Sequence, residues 1–241
     1  ESTEADWLQA AWFADSIIGS VSQDGPTCNG CPVERFTAGP ARATTFTVQR
    51  GSYLNLALST GISLHASSGT RFEIIEATQR PWKGNQNFDE QDSRSLTRIR
   101  IEEGILAISQ KTPRPTSRLI VETKWGTVEG TSPLFVLELS SVNSQVYVLE
   151  GSLAVERTDT QQRNFVNTGK YTSIKPNYTN GDPVELISFE EQERIGTYAE
   201  LAKLTRQRVL FFIEDQELVG KVLVPKNLEL HRVPNEFRIR D

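Results

Sequence analysis

The sequence predicts a mainly β protein: an antiparallel β-sandwich or jelly roll, or a short β-solenoid, with a short N-terminal helix and one C-terminal helix. Three observations carry this. Apolar and polar residues alternate in short runs such as Leu119-Ile120-Val121-Glu122-Thr123, Phe135 to Leu139 and Val146 to Glu150, the period of strands with one buried face. Small turn residues close each run, as in Gly51-Ser52, Thr60-Gly61, Ser67-Ser68-Gly69 and Gly151-Ser152. The runs recur about every ten residues, the rhythm of sandwiches, jelly rolls and solenoids.

Residues 1–34 read as an N-terminal segment. Trp7, Leu8, Ala11, Trp12, Ala14 and Ile18 fall near helical spacing, which predicts a short amphipathic helix over Asp6–Ile18. Trp7 and Trp12 on one face of such a segment are candidate anchors for a partner, against the plainer alternative of packing on their own domain. Gly25 to Pro32 is a glycine and proline loop holding Cys28 and Cys31, the two cysteines of the chain. A redox pair needs its first thiol at a helix N-terminus, and a zinc site needs two further ligands. His65 and His231 are the histidines on offer. A short-loop disulfide of an oxidising compartment is the favoured reading.

Residues 35–176 read as the main β domain. Thr45 to Val48, Tyr53 to Leu58, Ile62 to His65 and Arg71 to Ile75 are strands, with His65 expected at a surface or a turn. Residues 79–95 are polar and read as an exposed loop, where Trp82 and Phe88 are the candidate contact residues. Its Asp89, Glu90 and Asp92 lack the glycine and terminal glutamate of a calcium loop, so a solvated acidic loop is expected. Leu96 to Ile108 alternates again, placing Arg98 and Arg100 on one face with Glu102. That face is either a basic stripe for an acidic ligand or a solvent face partly neutralised by the glutamate. Residues 177–241 read as an extension with a helix over Glu190–Arg208 and a strand over Leu218–Val224, after the turn-rich Pro176 to Pro183.

The central block also resembles a known family. Val121-Glu122-Thr123, then Gly126-Thr127-Val128-Glu129-Gly130-Thr131, Phe135 to Leu139, Val146 to Val155 with Glu150-Gly151 inside it, and Gly169 follow the order of the extracytoplasmic FecR domain. Ser132-Pro133-Leu134 departs from the pattern by lengthening the turn before Phe135. The resemblance implies a FecR-type β fold and a role in extracytoplasmic signalling. The family's anti-sigma and membrane-spanning parts have no counterpart in this sequence.

A net charge of −5 argues against a nucleic-acid partner. No apolar run approaches the ~20 residues of a membrane span. The family resemblance implies export, to the periplasm, the cell surface or the medium, and a chain that opens at Glu1 and contains no methionine is what signal-peptide removal would leave, as would trimming. Glu122 with Glu138 and Glu150 with Glu156 are carboxylate pairs that a glycan-acting enzyme would need facing across a cleft. No nucleophile elbow, phosphate loop or metal cluster interrupts the strands, so catalytic residues, metal and cofactor are all expected to be none. The expected function is a non-catalytic β module that binds other proteins, including copies of itself, as a surface, envelope or filament component. The alternatives are a FecR-type sensor or regulator, or a glycan binder using Trp82, Phe88 or Trp125.

Overall fold

The computed structural model describes residues 7–26, 28–79, 95–110, 117–130, 132–176, 183–209, 216–219 and 222–225. The first half of the chain gives β1 (Leu8–Gln9), β2 (Ala11–Ile18), β3 (Val21–Gly25), β4 (Cys28–Pro32), β5 (Ala38–Pro40), β6 (Arg42–Val48), β7 (Tyr53–Leu58), β8 (Ile62–Ala66), β9 (Arg71–Gln79) and β10 (Ser95–Gln110). The second half gives β11 (Arg118–Glu122), β12 (Gly126–Gly130), β13 (Leu134–Leu139), β14 (Ser144–Glu150), β15 (Ser152–Arg157), β16 (Arg163–Asn167), β17 (Lys170–Ile174) and β18 (Val184–Leu186). After these come helix α1 (Phe189–Arg208), β19 (Gln216–Val219) and β20 (Val222–Pro225).

Two sheets pack face to face. An open sheet runs β4-β3-β6-β9-β10-β11-β12-β15-β16. A covered sheet runs β5-β2-β7-β8-β10-β13-β14-β17-β18. Strand β10 serves both: Ser95 to Glu103 pairs in the open sheet, and Gly104 to Gln110 in the covered one. Within these runs neighbours are antiparallel, except that β10 and β11 are parallel. This is the predicted β-sandwich.

Between the sheets, Phe46, Phe72, Ile74, Ile99 and Ile101 meet Leu54, Leu56, Leu64, Leu137 and Val148 in one buried cluster. Each such side chain contributes roughly 1.5–3 kcal/mol by leaving water. Phe46, stacked on Phe72 with ring centroids 5.2 Å apart, would cost ~3–5 kcal/mol to truncate to alanine.

The chain crosses between the sheets at corners built on glycine. Gly19, Gly51, Gly69, Gly104, Gly130, Gly151 and Gly169 all have positive φ, and each lies where one sheet hands the chain to the other. Gly104 shows why: at φ +92 it turns β10 from sheet to sheet, and an added Cβ would stand 2.5 Å from Thr70 Cα. Hydroxyls on neighbouring corners tie them together. Ser52 Oγ accepts from the Ser20 amide at 2.8 Å, Ser68 Oγ from Gly51 at 2.8 Å, and Thr70 Oγ1 from Ile105 at 3.0 Å. Thr168 Oγ1 accepts from Gly151 at 2.8 Å. The glycine-serine and glycine-threonine pairs of the sequence are therefore largely sheet-crossing corners.

Helix α1 lies on the outer face of the covered sheet. Ser188 caps it, accepting from the Glu191 amide while the Glu191 side chain reaches back to the Ser188 amide. Glu190 and Glu191 in the first turn, and Arg206 and Arg208 in the last, suit the helix dipole. Its buried face, Ile195, Ala199 and Ala202, packs on Ala107, Leu134, Val136 and Tyr147. The small alanines let the backbone come close enough for Ser63 Oγ to donate to the Ala202 carbonyl at 2.7 Å.

Residues 11–18 form strand β2, not the predicted N-terminal helix. Ala11 to Asp15 are buried on both faces, Trp12 by the core and Phe13 by Ala57 and Val209. Double burial erases the two-residue alternation and leaves apolar spacing that imitates a helix. The stretch set apart as 1–34 is woven into the body, β2 pairing with β7 and β3 with β6. The cysteine loop is a hairpin, β3 with β4. The single strand expected over Leu218–Val224 is two, β19 and β20, paired antiparallel from Val219↔Val222; they flank Gly220-Lys221, a two-residue connection suited to a hairpin. No helix among the described residues is long and apolar enough to cross a membrane.

Candidate interaction surface

The outer face of the open sheet carries charge in a lattice of ion pairs. Arg98 donates to Glu122 at 2.6 Å, and Arg100 donates to Glu122 at 2.9 Å and to Glu73 at 3.1 Å. Arg71 pairs with Glu102 at 2.8 Å and Arg118 with Glu129 at 2.6 Å. Burial alone would push the Glu122 carboxyl up, but hydrogen bonds from Arg100 and Arg98 outweigh it and hold the group below the usual carboxylate range. The face is thus the neutralised one of the two alternatives. Glu122 and Glu73 neutralise the arginines, while Glu102 pairs with Arg71.

The carboxylate pairs do not face one another. Glu122 lies on the outer face of the open sheet, whereas Glu138, on the outer face of the covered sheet, accepts from Arg194 of α1 at 2.7 Å. Glu150 ends β14 at a corner, and Glu156 pairs in register with Arg163 on the open sheet. Among the described residues no group of three or more His, Cys, Asp or Glu could hold a metal ion.

One end of the sandwich is built differently from the rest. The open sheet ends at β16, which among the described strands pairs only with β15. The covered sheet ends at β18, where Val184 pairs with Thr172, Glu185 with Tyr171 and Leu186 with Lys170. Thr172 shares its face with the core residue Ile174, so Val184 and Leu186 project from the inner face of their sheet. Yet Val184 is 37% and Leu186 75% exposed. Among the described residues the open sheet has no strand paired beyond β16. Phe165, on the outer face of β16, and Phe189, opening α1, are exposed as well, at 65% and 80%.

Beside this end lies a polar pocket of about 200 Å³ on the outer face of the covered sheet, lined by Asn143, Gln145, Tyr171, Ser173, Lys175 and Glu185. Tyr171 stacks on Tyr147 and donates to Glu185 at 2.7 Å. That hydrogen bond to a carboxylate, with burial second, pushes the phenol up to about 12.

The residues singled out from sequence are scattered. Trp12 is 2% exposed and packs edge-on against Phe46 at 5.3 Å, in the core rather than at a surface. Trp7 is 38% exposed at the start of the described chain. Trp82 and Phe88 lie outside the described residues. Trp125 is partly buried against the core, with Lys124 over its ring at 4.7 Å. Cys28 and Cys31 form the expected disulfide, their Cα atoms 5.9 Å apart.

His65, expected at a surface or turn, is 2% exposed beneath α1. It stacks on Tyr198 at 5.7 Å and meets Asn55 Oδ1 through Nδ1 at 2.6 Å. Burial lowers its pKa to about 4. Sequence reasoning passed over Phe165, Val184 and Leu186. The one signal for the last two was a three-residue alternation after Pro183, too short to tell an edge strand from a loop.

No family model matches this chain, and no curated protein matches it. Two crystal structures of a candidate anti-sigma factor from Parabacteroides distasonis share part of its backbone course. One is 14% identical over 64% of this chain and 63% of that one, with a TM-score of 0.48. The other is 15% identical over 63% of this chain and 62% of that one, with a TM-score of 0.46. The chain thus spans a little under two thirds of those chains' length.

Proposed function

We propose that this protein is a non-catalytic β-sandwich module that works outside the cytoplasm and binds other proteins, as a component of a surface, envelope or filament assembly. The supporting observation is the uneven end of the sandwich. An inward-facing leucine, Leu186, is 75% exposed on β18, the last strand in the covered sheet among the described residues. Uncovered inner-face side chains at the end of a sheet suit strand addition, in which backbone bonds supply affinity and alternate side chains specificity. The Cys28–Cys31 bridge supports the oxidising location. The arginine partners of Glu122 and Glu138 support a structural role for those acids.

Photo-crosslinking tests the reading. A benzophenone side chain at position 165 or 186 of the full chain, in its native extract, is expected to give discrete protein adducts. The same group at Thr127, on the outer face of the open sheet, serves as the control. No adduct above that control at either position removes the proposal.

A FecR-type sensor or regulator is the second reading, favoured by the ordered block Gly126 to Val155, which supplies β12 to β15. A membrane helix in the precursor and a sigma-factor and receptor pair beside its gene would favour it.

A further inference from the structure

We infer that the pocket on the outer face of the covered sheet binds a single sugar ring of a saccharide. The site is separate from the positions that carry the interaction reading, Phe165 and Leu186. Strand register builds it. Tyr171, Ser173 and Lys175, at and just past β17, share one face of the sheet. Gln145 of β14 stands in register with Ser173, and Glu185 of β18 with Tyr171. Ser173 is short among long neighbours, and the lining closes around a dent of about 200 Å³.

Two of its walls are held in place before anything binds. Tyr171 stacks on the fully buried Tyr147 at 5.3 Å, and its hydroxyl donates to Glu185 at 2.7 Å. Asn143 accepts from Ser140 Oγ at 2.7 Å and donates to Ser173 Oγ at 3.2 Å. Fixed walls lower the ordering cost of binding. Bonding capacity is left over. Among the described residues the Gln145 and Lys175 side chains make no hydrogen bond, and the Asn143 amide keeps a second N–H.

The lining selects the class of ligand. Lys175 and Glu185 are opposite in sign, so the pocket offers no net charge to a simple anion or cation. Polar walls would lose their water to an apolar ligand without repayment in hydrogen bonds. Donors (Lys175, Asn143) and an acceptor (Glu185) stand around Gln145, which is both. A hydroxyl donates and accepts, so it satisfies either kind of wall, and a sugar ring carries several around its rim. A zwitterionic peptide end fits less well, because Tyr171 already engages the carboxylate that would receive its ammonium. The volume admits one ring rather than a chain of them.

Saturation-transfer difference NMR on the full chain tests this. Glucose, galactose, mannose and N-acetylglucosamine are the separate probes, and glycylglycine is the zwitterionic comparison. At least one sugar is expected to bind in the millimolar range, and glycylglycine to give no signal. Gln145→Ala should weaken the sugar by about ten-fold, the loss of one or two hydrogen bonds. Ser173→Trp, a strand-compatible residue that fills the dent, should abolish binding. Both side chains lie on the outer face, so circular dichroism and melting temperature should not move. If Ser173→Trp fails to fold, Gln145→Ala alone decides. Silence from all four sugars overturns the inference, as does a sugar signal that Gln145→Ala leaves unchanged or a signal from glycylglycine alone. None of these outcomes bears on crosslinking at positions 165 and 186, so the two readings fail separately.

Discussion

Gly104 and Thr70 share a space with no room for another carbon. A Cβ on Gly104 would lie 2.5 Å from both Thr70 Cα and Thr70 Oγ1, while that oxygen accepts from the Ile105 amide at 3.0 Å and donates to its carbonyl at 3.0 Å. The contact is what permits β10 to leave one sheet and enter the other.

Gly104→Ala should therefore be among the costliest single-atom changes in the protein. A positive φ costs an alanine roughly 1–2 kcal/mol, and overpacking against backbone adds roughly 1–3 kcal/mol. Gly51→Ala is the matched comparison, since Gly51 has φ +74 and nothing within 4 Å of the new carbon. It should lose only the first, backbone part. Urea midpoints of the two variants check this, and equal losses would refute the clash.

Thr70→Val keeps the shape but removes the hydroxyl from a fully buried residue. The Ile105 amide loses its hydroxyl acceptor, at a cost of about 1–3 kcal/mol. Thr70→Ser should retain most of the stability. Thermal unfolding of the pair distinguishes loss of the bond from loss of volume.

Acid should loosen the protein through His65. Its folded pKa, lowered to about 4 by burial, lies below the ordinary 6.5 of the unfolded chain. Between those values the unfolded state binds the proton and the folded state does not, so stability falls as pH drops from 6.5 to 4 and is regained on the return. The full loss is on the order of 3 kcal/mol. Urea denaturation at pH 7.5 and pH 4.5 measures it, and a His65→Gln variant should show a visibly smaller difference.

The end of α1 is fastened to β2 by Asp15, which accepts from Thr205 Oγ1 at 3.3 Å and from the Arg208 guanidinium. Asp15→Ala should cost about 1–3 kcal/mol, because it leaves the Thr205 hydroxyl, buried under the helix, without its acceptor. Amide exchange should speed up in the last two turns of α1 before it does in the sheets. Uniform protection along the helix would show that the latch is idle.

The sandwich was legible in the sequence because the open sheet has one wet face: Phe72, Ile74, Ile99 and Ile101 alternate with charged or half-buried neighbours. The covered sheet hides its period. In β2, β7 and β8 successive residues are buried: the core lies on one side, while on the other α1 lies over β7 and β8, and Val209, just past the helix, meets Phe13 of β2. That is why β2 imitated a helix and His65 looked peripheral. The helix itself was readable from the three- and four-residue spacing of Ile195, Ala199 and Ala202. The uneven end was not, because exposure at Leu186 depends on where another sheet stops, which no local pattern encodes.

The glycine corners have a further consequence for assembly of the molecule. Successive bends deliver strands, mostly in pairs, to one layer and then the other, so the layers lengthen together, like a zip drawing two tapes closed. Neither tape can be completed first and then lidded by the other. Trimming the chain from one end shortens both at once, and the remaining stub keeps the same cross-section as the whole.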